Sequence, residues 1–309
     1  MPSSRRALLA SLGSGLTGLA GCLDFGGGPD RTSTPTRTPT STPTTSALTD
    51  TALGDAIALD TDGDGRGDGM AVVVSDLVTA YSARYLTAPD ALGVADADGG
   101  RFVFVRVTAR GQGTPPPPDG FSLVADGTAY DAGIEGIGPA RVDAPVSGRP
   151  YGWADRRGYL GFRMPAPLDA DAVAIRLAEI GRWTVPESAV EDLRAPPPTF
   201  ETTLTVPDTV AVDEVIPVRI DVTNVGDGLG TFHGAINHQG PLYAADGFSF
   251  SLPPGESTTH EVTVGYYRGS DPPPGRVQFG VVGPGLSESV SVRIEGGGTP
   301  DGTATGTGN

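Results

Sequence analysis

Glycine and proline punctuate this chain so densely that no long helix can form in it. There are 46 glycines and 29 prolines among 309 residues. Proline removes a backbone donor and clashes with the preceding turn, and glycine is the next weakest helix former. Between these breaks lie short runs that are apolar at every second position. Val103, Val105 and Val107 form one such set, and Ile216, Val218, Ile220 and Val222 form another. A period of two places each set on one face of a strand. Asp126-Gly127 sits between two strand-like runs and signals a hairpin turn. Only Glu187 to Leu193 reads as a short helix. The expected fold class is all-β, with two tandem immunoglobulin-like β-sandwich domains after a signal peptide and a disordered stalk.

The amino terminus reads as an address. Arg5 and Arg6 precede a short, glycine-interrupted apolar stretch that ends in Leu19-Ala20-Gly21-Cys22. A charged start, a short apolar region and small residues before the cut define a secretory signal, and paired arginines mark the twin-arginine route. The stretch is too short to span a bilayer. Residues 1–21 are therefore expected to be a signal peptide. Cys22 is expected to carry lipid and tether the chain to the cell membrane, facing outward. Cys22 is also the only cysteine, so no intramolecular disulfide can form. Residues 22–50 add a Thr/Ser/Pro stalk that has nothing to bury. It reads equally well as an O-glycosylated stalk and as a bare spacer. The first sandwich is assigned to 51–195 and the second to 199–295, with Pro196-Pro197-Pro198 between them. Residues 296–309 read as a disordered Gly/Thr tail.

The formal charge is −16, and all 21 basic side chains are arginine. Nucleic acid demands a basic footprint, so it is excluded as a partner. The same charge argues against electrostatic docking on anionic lipid and suits a saline exterior instead.

Two motifs carry a family resemblance. Ile220-Asp221-Val222-Thr223-Asn224-Val225-Gly226-Asp227, followed by Leu252-Pro253-Pro254-Gly255-Glu256-Ser257, resembles the cell-adhesion-related immunoglobulin-like domain of bacteria and archaea. The first domain is similar to the telokin-like sandwiches of prokaryotic lipoproteins, through Phe102 to Val107 and Trp183. The lysine-free, Asp-rich composition with its export signal resembles a haloarchaeal lipoprotein. These resemblances imply a fold and a location. They bring no catalytic residues with them.

Asp60, Asp62, Asp64 and Asp68, with Gly65, match the first part of an EF-hand calcium loop. Position twelve of that loop is Ala71, so the bidentate carboxylate is missing. A looser calcium site is one reading of this tract, and an acidic glycine-rich hairpin is the other. Otherwise no cofactor is expected. His233 and His238 lie five apart on one strand and should face opposite sides, which disfavours a histidine metal site and suggests surface or half-buried histidines. No nucleophile motif is present, and the absence of lysine rules out the usual phosphate loop. Tyr151, Trp153, Tyr159 and Trp183, with Arg156 and Arg157, read either as an aromatic binding surface or as packing, with packing favoured.

The expected function is a non-enzymatic, lipid-anchored surface protein that displays binding or adhesion modules. A structural envelope component packing on the surface layer is the alternative. A hydrolase or ligand receptor with an unrecognised site is a third reading.

Overall fold

The computed structural model describes residues 48–60, 69–152, 154–212, 214–239, 243–266 and 274–296. The fold is all-β, with one α-helix among the described residues, α1 (Glu187–Arg194).

The amino-terminal part contains three sheets. One runs β1 (Thr49–Ala52), β12 (Gly181–Thr184), β11 (Val173–Leu177), β7 (Phe121–Ala125), β8 (Thr128–Asp131). The next runs β10 (Arg157–Pro165), β6 (Gly100–Gly111), β3 (Met70–Ala80), β2 (Ala56–Ala58). The third is a small sheet of β5 (Ala91–Asp96), β4 (Ser82–Ala88) and β9 (Val142–Ala144). Strand β1 begins at Thr49 and pairs with β12, so the last two residues of the segment assigned to the stalk, Thr49 and Asp50, lie in a sheet. Arg182 holds this entry strand by a bidentate contact to the Asp50 carboxylate.

The expected alternation in β6 is present, and a second layer is added to it. Val103, Val105 and Val107 are fully buried against Leu123, Ile175 and Trp183 of the facing sheet. Phe102 and Phe104, on the other face, are buried as well. They join Ala83, Ile134, Ile137, Val142 and Tyr159 in a separate core under the third sheet. Sheet β10-β6-β3-β2 is therefore a middle layer with apolar contacts on both sides. The predicted hairpin at Asp126-Gly127 joins β7 and β8, and both residues take positive φ, 43° and 85°. Those angles suit a tight primed turn.

The carboxy-terminal part is a two-sheet sandwich. One sheet runs β13 (Phe200–Thr205), β15 (Ile216–Asn224), β18 (Ser257–Val264). The other runs β14 (Thr209–Ala211), β20 (Leu286–Glu295), β19 (Arg276–Gly283), β16 (Gly230–Gln239), β17 (Ala244–Leu252). Ile216, Val218, Ile220 and Val222 all point inward, at 1% exposure or less.

The two motifs quoted for the resemblance meet at Asn224. Its backbone N–H donates to Glu256 O and its carbonyl accepts from Gly255 N–H. Across the same turn runs the proline linker. Val225 N–H donates to Thr199 O at 2.7 Å, and Gly228 N–H donates to Pro197 O at 3.3 Å. A β-carbon on Gly228 would fall 1.8 Å from Pro196 O, and one on Gly226 would fall 2.3 Å from Thr199 N. The glycines are there because the linker passes directly over them.

Candidate functional site

The amino-terminal and carboxy-terminal parts belong to the same compact unit, and side chains of the two join them. The outer face of strand β16, away from its own core, lies against β4 and β5. Asn237 on β16 exchanges two hydrogen bonds with the backbone of Leu92 on β5. Leu92 N–H donates to Oδ1 and Asn237 Nδ2 donates to Leu92 O, both at 2.8 Å. A side-chain amide thus takes the place of one backbone rung in a sheet ladder.

Arg84, on β4, is the centre of this joint and is 9% exposed. Its Nε donates to Asp143 Oδ2 at 2.6 Å. Its Nη1 donates to Phe248 O at 2.7 Å, Gly234 O at 3.1 Å and Ser249 Oγ at 3.3 Å. The guanidinium lies over Gly247, where a β-carbon would come within 2.4 Å of Arg84 Cζ. Beside it, Ser82 Oγ and His233 Nδ1 are 3.0 Å apart.

A serine and a histidine at this distance invite a catalytic reading, which burial answers. Ser82 and His233 are only 1% and 3% exposed. Burial, reinforced by the neighbouring Arg84 charge, pulls His233 down to about 4. It stays neutral near pH 7 and holds the joint. The expectation of a surface or half-buried His233 is thereby corrected. The sheet carrying it is covered on both faces, which an alternating pattern read on one strand does not reveal. His238 faces the other way, as expected, with Nε2 2.9 Å from Asp246 Oδ2.

This burial predicts a pH dependence. The unfolded imidazole binds its proton near pH 6.5, whereas the folded one waits until about 4. Above 6.5 neither state is charged and nothing is lost. Between 6.5 and 4 the unfolded state binds more protons, so stability falls as pH falls, by about 3 kcal/mol in total. His233→Gln should remove that part of the acid sensitivity. The check is the difference in unfolding free energy between the two proteins at pH 7 and pH 4.5.

A second feature is a cavity of about 420 Å³ on the middle sheet. Its wall includes Ile134, Ile137, Val142, Tyr151 and Tyr159, with Asp155 as the one charged residue lining it among the described residues. The segment after β8 and the segment before β10 form the sides, tied to strand β10. Gly133 N–H donates to Gly161 O at 2.8 Å, and Tyr151 N–H donates to Tyr159 O at 2.9 Å. A β-carbon on Gly161 would meet Ile134 Cδ1 at 2.6 Å, so the glycine lets Ile134 pack onto the strand.

The aromatic cluster noted in the sequence divides accordingly. Tyr151 and Tyr159 line the cavity. Trp183 is fully buried in the main core, and its indole N–H donates to Asp55 O. Trp153 lies outside the described residues. Arg156 turns away and donates to Gly111 O and Gly113 O. The cavity itself had no motif; the tyrosines were its only signal.

Of the calcium candidates, Asp60 lies in the connection between antiparallel strands β2 and β3. Asp62, Asp64 and Asp68 lie outside the described residues, as do Arg5, Arg6 and Cys22. Among the described residues no three acidic, histidine or cysteine groups converge as a metal site. None of the described helices is long and apolar enough to cross a membrane.

No protein-family model matches this chain, and no curated protein does. Solved structures give short, loose alignments. A β-glucosidase from Listeria innocua in complex with isofagomine shares 16% identity over 33% of this chain, with a TM-score of 0.27. The Pseudomonas fluorescens alkylpurine DNA glycosylase AlkC, bound to DNA containing an abasic site analog, shares 20% over 31% of this chain and 30% of its own, at 0.24. A protein of unknown function from Porphyromonas gingivalis W83 is 12% identical over 72% of this chain and 98% of its own, at 0.21. The chain spans only about 17% of the glucosidase. Scores this low assign neither a fold family nor an activity.

Proposed function

We propose that this chain is a non-enzymatic, lipid-anchored cell-surface protein that presents its sandwiches outward as one stiff binding unit. Export through Arg5-Arg6, lipid on Cys22 and a Thr/Ser/Pro stalk supply the tether. The joint centred on Arg84 is the observation that carries the reading. Two sandwiches on a stalk need no fixed mutual orientation unless a partner meets both, and here buried polar contacts join them. The Ser82–His233 contact, a nucleophile–base pair by residue type, is sealed inside that joint and supports a structural role. The partner is taken to be another envelope component, such as the surface layer.

Cys22→Ser should release the protein from cells into the medium, and retention in the membrane fraction would refute the anchor. Crosslinking on intact cells, followed by identification of the captured protein, tests the partner; recovery of the uncrosslinked chain alone would count against a binding role.

The composition predicts behaviour in salt. Loss of residues 1–21 removes Arg5 and Arg6 and no acid, leaving 19 basic and 37 acidic side chains. Such self-repulsion opposes compactness in dilute buffer, whereas molar salt shortens the Debye length to about 3 Å. The melting temperature of the folded chain should fall steadily as salt is dialysed away, and a salt-indifferent melt would contradict this.

A further inference from the structure

We propose that the cavity between Ile134, Ile137, Tyr151 and Tyr159 is a binding site for an uncharged, apolar small molecule. Three observations point to this ligand class. The volume, about 420 Å³, lies in the range of sites that enclose drug-sized molecules.

The polar atoms of its aromatic wall are already engaged by the protein. Tyr151 donates its hydroxyl to Pro116 O at 2.8 Å, and burial pushes that phenol up to about 12, so it stays neutral. The Tyr159 hydroxyl accepts from Arg106, whose guanidinium also lies 4.6 Å from the ring centroid. A ligand here therefore meets mainly apolar surface and aromatic faces, with the Tyr151 O–H already given to Pro116 O.

The third observation is charge. Asp155 is the single charged lining residue, and its nearest basic partner, Arg149, is 3.9 Å away and mostly exposed. A carboxylate or sulfonate entering the cavity would face that acid, while the Arg106 guanidinium behind Tyr159 is already paired with Asp76 at 2.7 Å. The walls are also preformed, since Ile134 is packed against Gly161 and both flanking segments are hydrogen-bonded to strand β10. Preformed walls reduce the ordering cost of binding.

The test uses the full chain carrying Cys22→Ser, in molar salt, with two probes that share one ring system. N-phenyl-1-naphthylamine is uncharged; 8-anilinonaphthalene-1-sulfonate adds an anionic group. The neutral probe should bind saturably at one site, with at least tenfold higher affinity than the sulfonate. Ala154→Trp adds bulk at an exposed lining position and should weaken the neutral probe at least tenfold with the melting temperature unchanged. Asp155→Asn should narrow the gap between the two probes without weakening the neutral one. The proposal is overturned if the folded chain shows no saturable binding of the neutral probe. It is equally overturned if Ala154→Trp leaves that binding intact, or if the sulfonate binds as tightly as the neutral probe. None of these outcomes depends on the membrane anchor or on the surface partner.

Discussion

Replacing Asn224 by alanine is expected to destabilise the carboxy-terminal sandwich by about 4 kcal/mol, because one side chain satisfies four buried or half-buried backbone groups. Asn224 is fully buried. Its Nδ2 donates to Gly228 O at 2.8 Å and Leu252 O at 2.9 Å. Its Oδ1 accepts from Gly226 N–H at 3.1 Å and Thr199 N–H at 3.2 Å. Alanine leaves two donors and two acceptors without partners, each costing on the order of 1–3 kcal/mol before water reaches the turn. Asn224→Asp should be no milder, since a carboxylate cannot donate to the two carbonyls and would be charged in a buried site. Urea unfolding in molar salt measures both. A loss below about 1 kcal/mol for Asn224→Ala would show that the turn holds itself without this residue. Because Thr199 directly follows the Pro196-Pro197-Pro198 linker, the same variant should loosen the junction between the sandwiches.

The second large effect is expected at Arg84. Arg84→Met removes the contacts to Gly234 O, Phe248 O, Ser249 and Asp143 at once. Asp143 is partly exposed and can be rehydrated, so most of the loss falls on the two carbonyls and on the uncoupled joint. About 3 kcal/mol is expected. Calorimetry reads it best: a single cooperative transition should split in two as the sandwiches begin to melt separately. Gly247 sharpens the test. Gly247→Ala pushes a methyl group into the Arg84 guanidinium, so it should destabilise the native chain. In the Arg84→Met background the obstruction is a flexible thioether chain, and the same alanine should cost little. Additive effects of the two changes would contradict direct contact, since non-additivity is the mark of coupled sites.

Much of the fold could be read locally. The alternation in Val103 to Val107 and Ile216 to Val222, the Asp126-Gly127 hairpin and the single helix near Glu187 are all present as expected. The Asn224 turn was recognisable as a motif, although its four hydrogen bonds were not. Alternation identified one buried face per strand. It was silent about Phe102 and Phe104, and about His233, whose strand faces are covered from both sides.

The cavity was legible only as a cluster of aromatic residues. Its shape comes from segments with no repeating pattern, and the same cluster contained Trp183, which packs in the main core. Arg156, grouped with these aromatics in the sequence, serves the backbone of Gly111 and Gly113 instead.

The amino-acid sequence by itself determined the all-β class, the turn positions and the strand faces that enter a core. Those properties depend on backbone stereochemistry and on a two-residue period, both set by neighbours along the chain. The tertiary structure alone decided that β16 would be buried on both faces, that Asn237 would complete a rung with Leu92, and that Arg84 would span two sandwiches. These contacts join residues 145 to 165 positions apart. No local pattern encodes such pairings, because whether a polar side chain on a strand meets water or a buried carbonyl depends on which sheet comes to rest against it.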